Sequence, residues 1–440
     1  MNIQPPQDER KSLRKDAATL FAGGMGASIF TTLEVVFLAR FLDLEQFGVF
    51  TLVLSYVTLV NAFVDFRIRE ASVKYISEYC EKNDKTSALS FIKFFYLIDF
   101  LGGILAFVVC VALAEVANEF FIKSENTFQY VLILSLSLFV LTVNQNSNAI
   151  LQALKKFRES AFLKVVDAFV KLALIVLFFV LGFGLKGFFI AYVIAAVVNF
   201  AILQFYVNRT LKLEGMSGWL FADLSKIKGK MREVIWFVLN INATGFVSFS
   251  FSTHIPILLL GHFSGVEASG LYRVAKSVVS AANKITGPVY SVLYPALVRL
   301  ETRKSYDEFR QLIVYSVKEI MKFLLPVCVF LFVFAYEFIE IVFGSEFTPA
   351  TDAMRVLTGA MVVGHLCKWS NFALLAFGMP GTKTVFSILF ACVGLASMFI
   401  LIPDYSYLGA AWAFFIPEFL SVFVGVFVLM RVRAMSVKGV

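Results

Sequence analysis

The chain has 440 residues, 59% of them hydrophobic, 16% aromatic and only 16% charged, with a formal net charge of +8. A soluble protein carries about 25% charged residues and has no interior able to hide this much apolar surface, so a soluble fold is excluded. The positive charge belongs to topology, as shown below, and gives no reason to expect a nucleic-acid partner.

Apolar runs near the length of a bilayer core predict an all-α polytopic membrane protein with about twelve transmembrane helices. In chain order the spans fall at residues 17–39, 48–66, 94–114, 129–150, 161–183, 187–207, 233–259, 268–296, 319–343, 350–377, 383–402 and 407–430. The stretch containing Arg10, Lys11, Arg14 and Lys15 has no small-residue cleavage site before the first span and reads as a cytoplasmic tail. With that phase, 30 of the 39 Lys and Arg fall on the cytoplasmic side and Arg40, Lys123, Lys186 and Arg355 on the other. Such asymmetry is what the positive-inside rule demands. The expectation is a multi-pass protein of the cell (plasma or inner) membrane with both termini cytoplasmic.

The longest polar connections, roughly 67–93, 208–232 and 299–322, hold one or two surface helices each and leave no room for a catalytic domain. That points to transport rather than catalysis, and with no G-x-x-x-x-G-K-[ST] motif the chain itself is expected not to hydrolyse nucleotide. Five Cys and three His are scattered without metal spacing, so no metal site and no cofactor is proposed.

Self-comparison points to a duplication. Phe41-Leu-Asp-Leu-Glu45-Gln-Phe-Gly48-Val-Phe50 resembles Phe263-Ser-Gly-Val-Glu267-Ala-Ser-Gly270-Leu-Tyr272 at an offset of 222. The same offset carries Asn61 onto Asn283 and Gly187 onto Gly409, while Asn148 matches Asn371 at 223. Two six-helix lobes are expected, 1–220 and 221–440, related by a pseudo-two-fold axis along the membrane normal with a central cavity between them.

An ionisable side chain deep in a bilayer usually faces a cavity or a partner. The candidates are Glu34, Asp65, Asp99, Asp167, Lys171, Arg273, Lys276, Lys284 and Lys368. Asp167 and Lys171 are four apart on one helical face and able to neutralise each other. In the eighth span Arg273, Ser280 and Lys284 fall close to one line, with Lys276 and Asn283 beside it. Like charges on one helix cannot pair among themselves, so this stripe reads either as interfacial snorkelling or as a cationic cavity wall that meets phosphate or acidic sugar. Asn61, Ser280 and Asn283 are the polar cavity-wall candidates. Gly23-Gly24-x-Gly26, Pro288 and Pro295 permit either bending or close helix contact.

Phe37-Leu-Ala-Arg40-Phe-Leu-Asp-Leu-Glu45-Gln-Phe-Gly48-Val-Phe50, through Asp65, Ala71 and Tyr75-Ile-Ser-Glu-Tyr79, resembles the opening of the polysaccharide flippases. These belong to the multidrug/oligosaccharidyl-lipid/polysaccharide exporter superfamily. Leu151-Gln-Ala-Leu-Lys-Lys-Phe157 and Gly270-Leu-Tyr-Arg273-Val-Ala275 look like further landmarks of that family. Two places depart from its pattern: Arg67-Ile-Arg69-Glu70 stands where a glycine is common, and Thr253-His254-Ile255-Pro256 where an acid is common.

The resemblance implies a flippase that moves a polyprenyl-diphosphate-linked oligosaccharide to the outer leaflet by alternating access, for cell-surface polysaccharide or lipopolysaccharide biosynthesis. Its partners would be that glycan, membrane lipids, and glycosyltransferases or a polymerase of the same pathway. Lys171, Arg273, Lys276, Lys284 and Lys368 would meet the anionic groups. Glu34, Asp65, Asp99 and Asp167 would carry a coupling proton or sodium ion, or balance those cations. The alternatives are an ion-coupled multidrug or cation antiporter of the same superfamily and a non-transporting membrane scaffold.

Overall fold

The computed structural model describes residues 7–64, 68–236, 238 and 254–437. Asp65 and most of the expected span at 233–259 lie outside the described residues.

The chain is all-α, with no strand among the described residues. It runs through α1 (Gln7–Phe41), α2 (Leu44–Val64), α3 (Ile68–Glu81), α4 (Lys85–Ala112), α5 (Thr127–Ser135), α6 (Leu138–Ala153), α7 (Phe157–Val180) and α8 (Gly184–Leu213). It continues through α9 (Ile255–Ser264), α10 (Val266–Asn283), α11 (Gly287–Thr302), α12 (Tyr306–Val333), α13 (Ala335–Val342), α14 (Ala350–Cys367), α15 (Trp369–Ala376) and α16 (Pro380–Val437).

Every expected span but the seventh lands on helix, although several are divided. Among the described residues, six helical segments, one of them α5 and α6 together, are long and apolar enough to cross a bilayer, and α12 with α13, bent by 79°, makes a seventh when the pair is taken as one span. The 58 residues of α16 hold the last two expected spans, separated by Ser406, whose φ of 52° and ψ of −134° break the helix. The remaining spans carry more charge: α7 contains Lys164, Asp167 and Lys171, and α10 contains Glu267, Arg273 and Lys276. The eighth span is not one helix, because a 3-10 turn at Lys284–Thr286 separates α10 from α11.

The residues gather into two compact units. The first comprises Met1–Glu34, Tyr56–Glu119 and Ser124–Phe246, and the second Val35–Ser55, Phe120–Lys123 and Val247–Val440.

In the first unit the amphipathic α3 lies on α4 and α6, burying Tyr75 and Ile76 among Phe91, Phe95, Ile150 and Leu151. The Tyr75 and Phe91 rings stack with centroids 5.2 Å apart. Asp84 caps α4, its carboxylate accepting the Ser87 backbone N–H at 3.0 Å, which satisfies one donor the helix leaves open. The glycines of the first span serve close contact with α7. A Cβ on Gly23 would sit 2.6 Å from that of Ala161, and one on Gly26 3.1 Å from Val165 Cγ2, whereas Gly24 faces open space.

The second unit draws in the end of α1 and the first half of α2 through a small set of specific contacts. Phe47 packs edge-on against Phe347, 5.4 Å between centroids. The Arg40 guanidinium donates to the carbonyl of Val342 at 2.9 Å and to that of Ile341, closing acceptors that the C-terminus of α13 leaves open. Glu346 accepts the backbone N–H of Leu44 at 3.2 Å, tying the start of α2 to the same place.

Candidate functional site

The second unit encloses a cavity of about 190 Å³ bounded by α10, the junction of α14 and α15, and the second half of α16. From α10 it takes Lys276, Ser280 and Asn283, one helical face by their spacing of four and three. From the α14–α15 junction come Gly364, His365, Lys368 and Asn371, and from α16 Phe414, Glu418 and Ser421.

The ammonium of Lys276, a residue only 8% exposed, lies 3.1 Å from the centroid of the Phe414 ring. A cation desolvated against an aromatic face gains about 2 kcal/mol, which offsets part of the cost of burying it. Lys368 stands at the C-cap of α14, where the helix dipole favours a cation, and its ammonium lies 5.2 Å from the centre of the Tyr290 ring. Glu418 faces both, and its charge reaches each of them, yet among the described residues it closes an ion pair with neither. Two cations and one carboxylate are thus held around an open space.

A hydrogen-bonded chain orders one wall. The Tyr290 hydroxyl lies 2.8 Å from His365 Nδ1, and His365 Nε2 lies 2.7 Å from Asn283 Oδ1. An amide oxygen only accepts, so Nε2 donates, and Nδ1 is left to accept the Tyr290 proton. The Asn283 NH2 remains as a donor on the cavity wall. Tyr290 and His365 also stack at 5.7 Å between ring centroids, fixing the imidazole plane.

The structure therefore brings together Lys276, Ser280, Asn283 and Lys368. Arg273, one turn before Lys276, is half-buried and within electrostatic reach of His254, and does not line this cavity. Lys284 is exposed at the start of the 3-10 turn and is also outside the lining.

The other candidates lie in the first unit. Lys171 pairs with the buried Glu34 carboxylate at 2.9 Å and sits 5.0 Å from the centre of the Tyr192 ring, whose hydroxyl donates to Glu34 Oε1. Asp167 is half-buried within reach of both charges, so two acids surround one lysine. Asp99 is buried, its carbonyl accepting the Thr142 hydroxyl at 2.9 Å, next to a network of Tyr96, Ser147 and Gln204. Asn61 on α2 is half-buried, and its Oδ1 has no hydrogen-bond partner among the described residues. Also among the described residues, no group of three or more His, Cys, Asp and Glu side chains is placed to hold a metal ion.

Glu418, His365, Asn371 and Phe414 escape the sequence reading as functional residues. Glu418 had a signal: it is the one charged side chain between Tyr405 and Met430, an isolated carboxylate in an apolar run. His365 carries none, because its role depends on Tyr290 and Asn283 from other helices.

The model of a family described as polysaccharide biosynthesis protein matches residues 37–352. Among curated relatives, the probable low-salt glycan biosynthesis flippase Agl15 of Haloferax volcanii is 22% identical over 404 residues, covering 92% of this chain and 79% of its own. The fold is similar to an inward-facing MATE family multidrug resistance transporter of the MOP superfamily, with a TM-score of 0.78 at 14% identity over 94% of this chain and 96% of the other. It is also similar to the lipid II flippase MurJ in an inward closed conformation, with a TM-score of 0.74 at 16% identity over 93% of this chain and 87% of the other.

Proposed function

The chain belongs to the polysaccharide biosynthesis protein family, and from that premise we propose that it flips a polyprenyl-diphosphate-linked oligosaccharide from the cytoplasmic to the outer leaflet of the cell membrane by alternating access. The observation that carries this reading is the cavity in which Lys276 and Lys368 converge with the amide groups of Asn283 and Asn371. Ammonium groups on a poorly hydrated wall suit a diphosphate, because charge-assisted hydrogen bonds replace the hydration the anion gives up. The similarity to a glycan biosynthesis flippase supports the same substrate class.

In this reading both termini are cytoplasmic, as the charge asymmetry indicates. The acid-rich cluster of Glu34 and Asp167 around Lys171 carries the coupling proton or sodium ion, with Asp99 and Asp65 in support. A cation antiporter fits the cavity poorly, since lysines outnumber the single glutamate that an organic cation would need.

Export of surface glycan tests the proposal. Lys276→Ala and Lys368→Ala are each expected to abolish it while the protein stays in the membrane. Normal surface glycan in both variants would contradict the assignment of the cavity's lysines to the substrate path.

A further inference from the structure

We propose that Glu418 is the resident anion of the cavity: its carboxylate competes with an incoming phosphate-class anion for Lys276 and Lys368, and binding of that anion drives a proton onto Glu418. The inference rests on the reading of this cavity as the anion site and gives it a mechanism of release.

The geometry that supports it begins at Gly364. A Cβ there would collide with Glu418 Oε2, so the glycine on α14 leaves the room in which the carboxylate stands inside the cavity. From that position its charge acts on Lys276 of α10 and Lys368 at the α14–α15 junction together, yet it contacts neither closely enough to close the space between them. A carboxylate locked onto one lysine would be a packing ion pair. One held off both is placed to be displaced.

An entering phosphate group would share the same two cations. With Glu418 ionised, two anionic groups then face each other in surroundings of low polarity, and one of them is relieved of charge by taking up a proton. The ligand, fixed by two ammonium groups and the Asn283 amide, keeps its charge, and the proton passes from water onto the Glu418 oxygen. When the anion leaves, the proton is released and the carboxylate recovers both lysines. The returning carboxylate keeps the two lysines from holding the ligand too tightly.

The other ionisable groups near Glu418 are few. Tyr290 of α11 and Cys367 of α14 lie within reach of its charge, and His365 lines the same cavity. The helices α9 and α12, which also pack on α16, bring no charge to bear on it among the described residues. Lys276 and His365 line the same cavity and are the other groups whose titration would alter anion binding, so the test separates all three.

Binding of inorganic sulfate, whose charge is constant between pH 6 and pH 8, is measured by calorimetry on the full-length protein in nanodiscs. The wild type is expected to bind about a hundredfold more tightly at pH 6 than at pH 8, taking up about one proton per anion as read from buffers of different ionisation heat. Glu418→Gln is expected to bind at pH 8 as tightly as the wild type does at pH 6 and to take up almost no proton. His365→Gln should keep the proton uptake, and so should Lys276→Arg, whose cation does not titrate.

Equal or weaker binding by Glu418→Gln at pH 8, with no proton taken up by the wild type, overturns the proposal and leaves the anion site standing. Sulfate binding absent from both wild type and Glu418→Gln overturns the anion site as well. If Glu418→Gln does not fold, the proton count of Lys276→Arg decides, since an uptake of zero there contradicts the competition.

Discussion

Gly48 and Gly270 lie against each other: a Cβ on Gly270 would come 3.4 Å from the Gly48 Cα, and one on Gly48 would run into the carbonyl oxygen of Val266. These are the residues that the offset of 222 matches, so the two related helix starts meet glycine to glycine within one compact unit. Phe47 flanks the contact, 3.3 Å from where the Gly270 Cβ would be.

Gly48→Ala should therefore be the more damaging of the two substitutions, because its methyl group meets backbone that cannot turn aside. A cost of about 1–3 kcal/mol is expected, and less for Gly270→Ala, where the Phe47 ring is able to give. Thermal unfolding in detergent checks the order. Unchanged melting of Gly48→Ala would mean that the helices are free to separate there.

Arg40 offers a second structural test. Its guanidinium satisfies carbonyls at the C-terminus of α13 that have no helical partner, so Arg40→Ala leaves these exposed acceptors to water and should cost about 0.5–1.5 kcal/mol. Arg40→Lys should restore only part of this, since a single ammonium lacks the planar fork that reaches two carbonyls. Full rescue by lysine would show that charge rather than geometry holds α13.

For the first unit the decisive pair is Glu34 and Lys171. Removing one partner leaves a buried charge uncompensated, so Lys171→Met and Glu34→Gln should each destabilise the protein, the lysine variant by about 3 kcal/mol. The double variant should recover much of the loss, a coupling that a double-mutant cycle of melting temperatures measures. Glu34→Gln should in addition slow transport or uncouple it from the ion gradient. Flipping that is unaltered across imposed pH and sodium gradients would remove Glu34 from the mechanism.

The α4 cap supplies a pH prediction outside the membrane. Hydrogen bonds from Ser87, then Thr86, hold the Asp84 carboxyl well below its ordinary value of 3.8, at about 2. Its folded pKa is depressed, so the contribution is fully present above pH 3.8 and is lost as pH falls through about 2. Exchange protection of the Ser87 amide should fall across that window in the wild type. In Asp84→Ala it should be low throughout, with a stability loss of about 0.5–2 kcal/mol. Protection in the alanine variant equal to the wild type would remove the cap's role.

Much of the fold is legible in the sequence because lipid imposes a simple rule: apolar runs of bilayer length become helices, and the charges between them mark the turns. What escapes is where a span breaks. The division at Lys284–Thr286 and the 79° bend between α12 and α13 interrupt runs whose composition reads as continuous. At the site, the helical period places Lys276, Ser280 and Asn283 on neighbouring positions of one face, and that face lines the cavity. Which of the other candidate cations join them is not legible: Lys368 does, from another helix, Arg273 and Lys284 lie outside the lining, and Glu418 acquires meaning only opposite Gly364. Contacts between helices distant in sequence leave no periodic trace.

Flipping in proteoliposomes tests the central claim most directly, using a fluorescent polyprenyl-diphosphate oligosaccharide whose outer-leaflet fraction is quenched by an impermeant reagent. The wild type is expected to move the glycan lipid across the bilayer, and the Lys276→Gln, Lys368→Gln double variant, inserted to the same level, to leave it where it began. Transport of a cationic dye in place of the glycan lipid, or equal flipping by the double variant, would contradict the account.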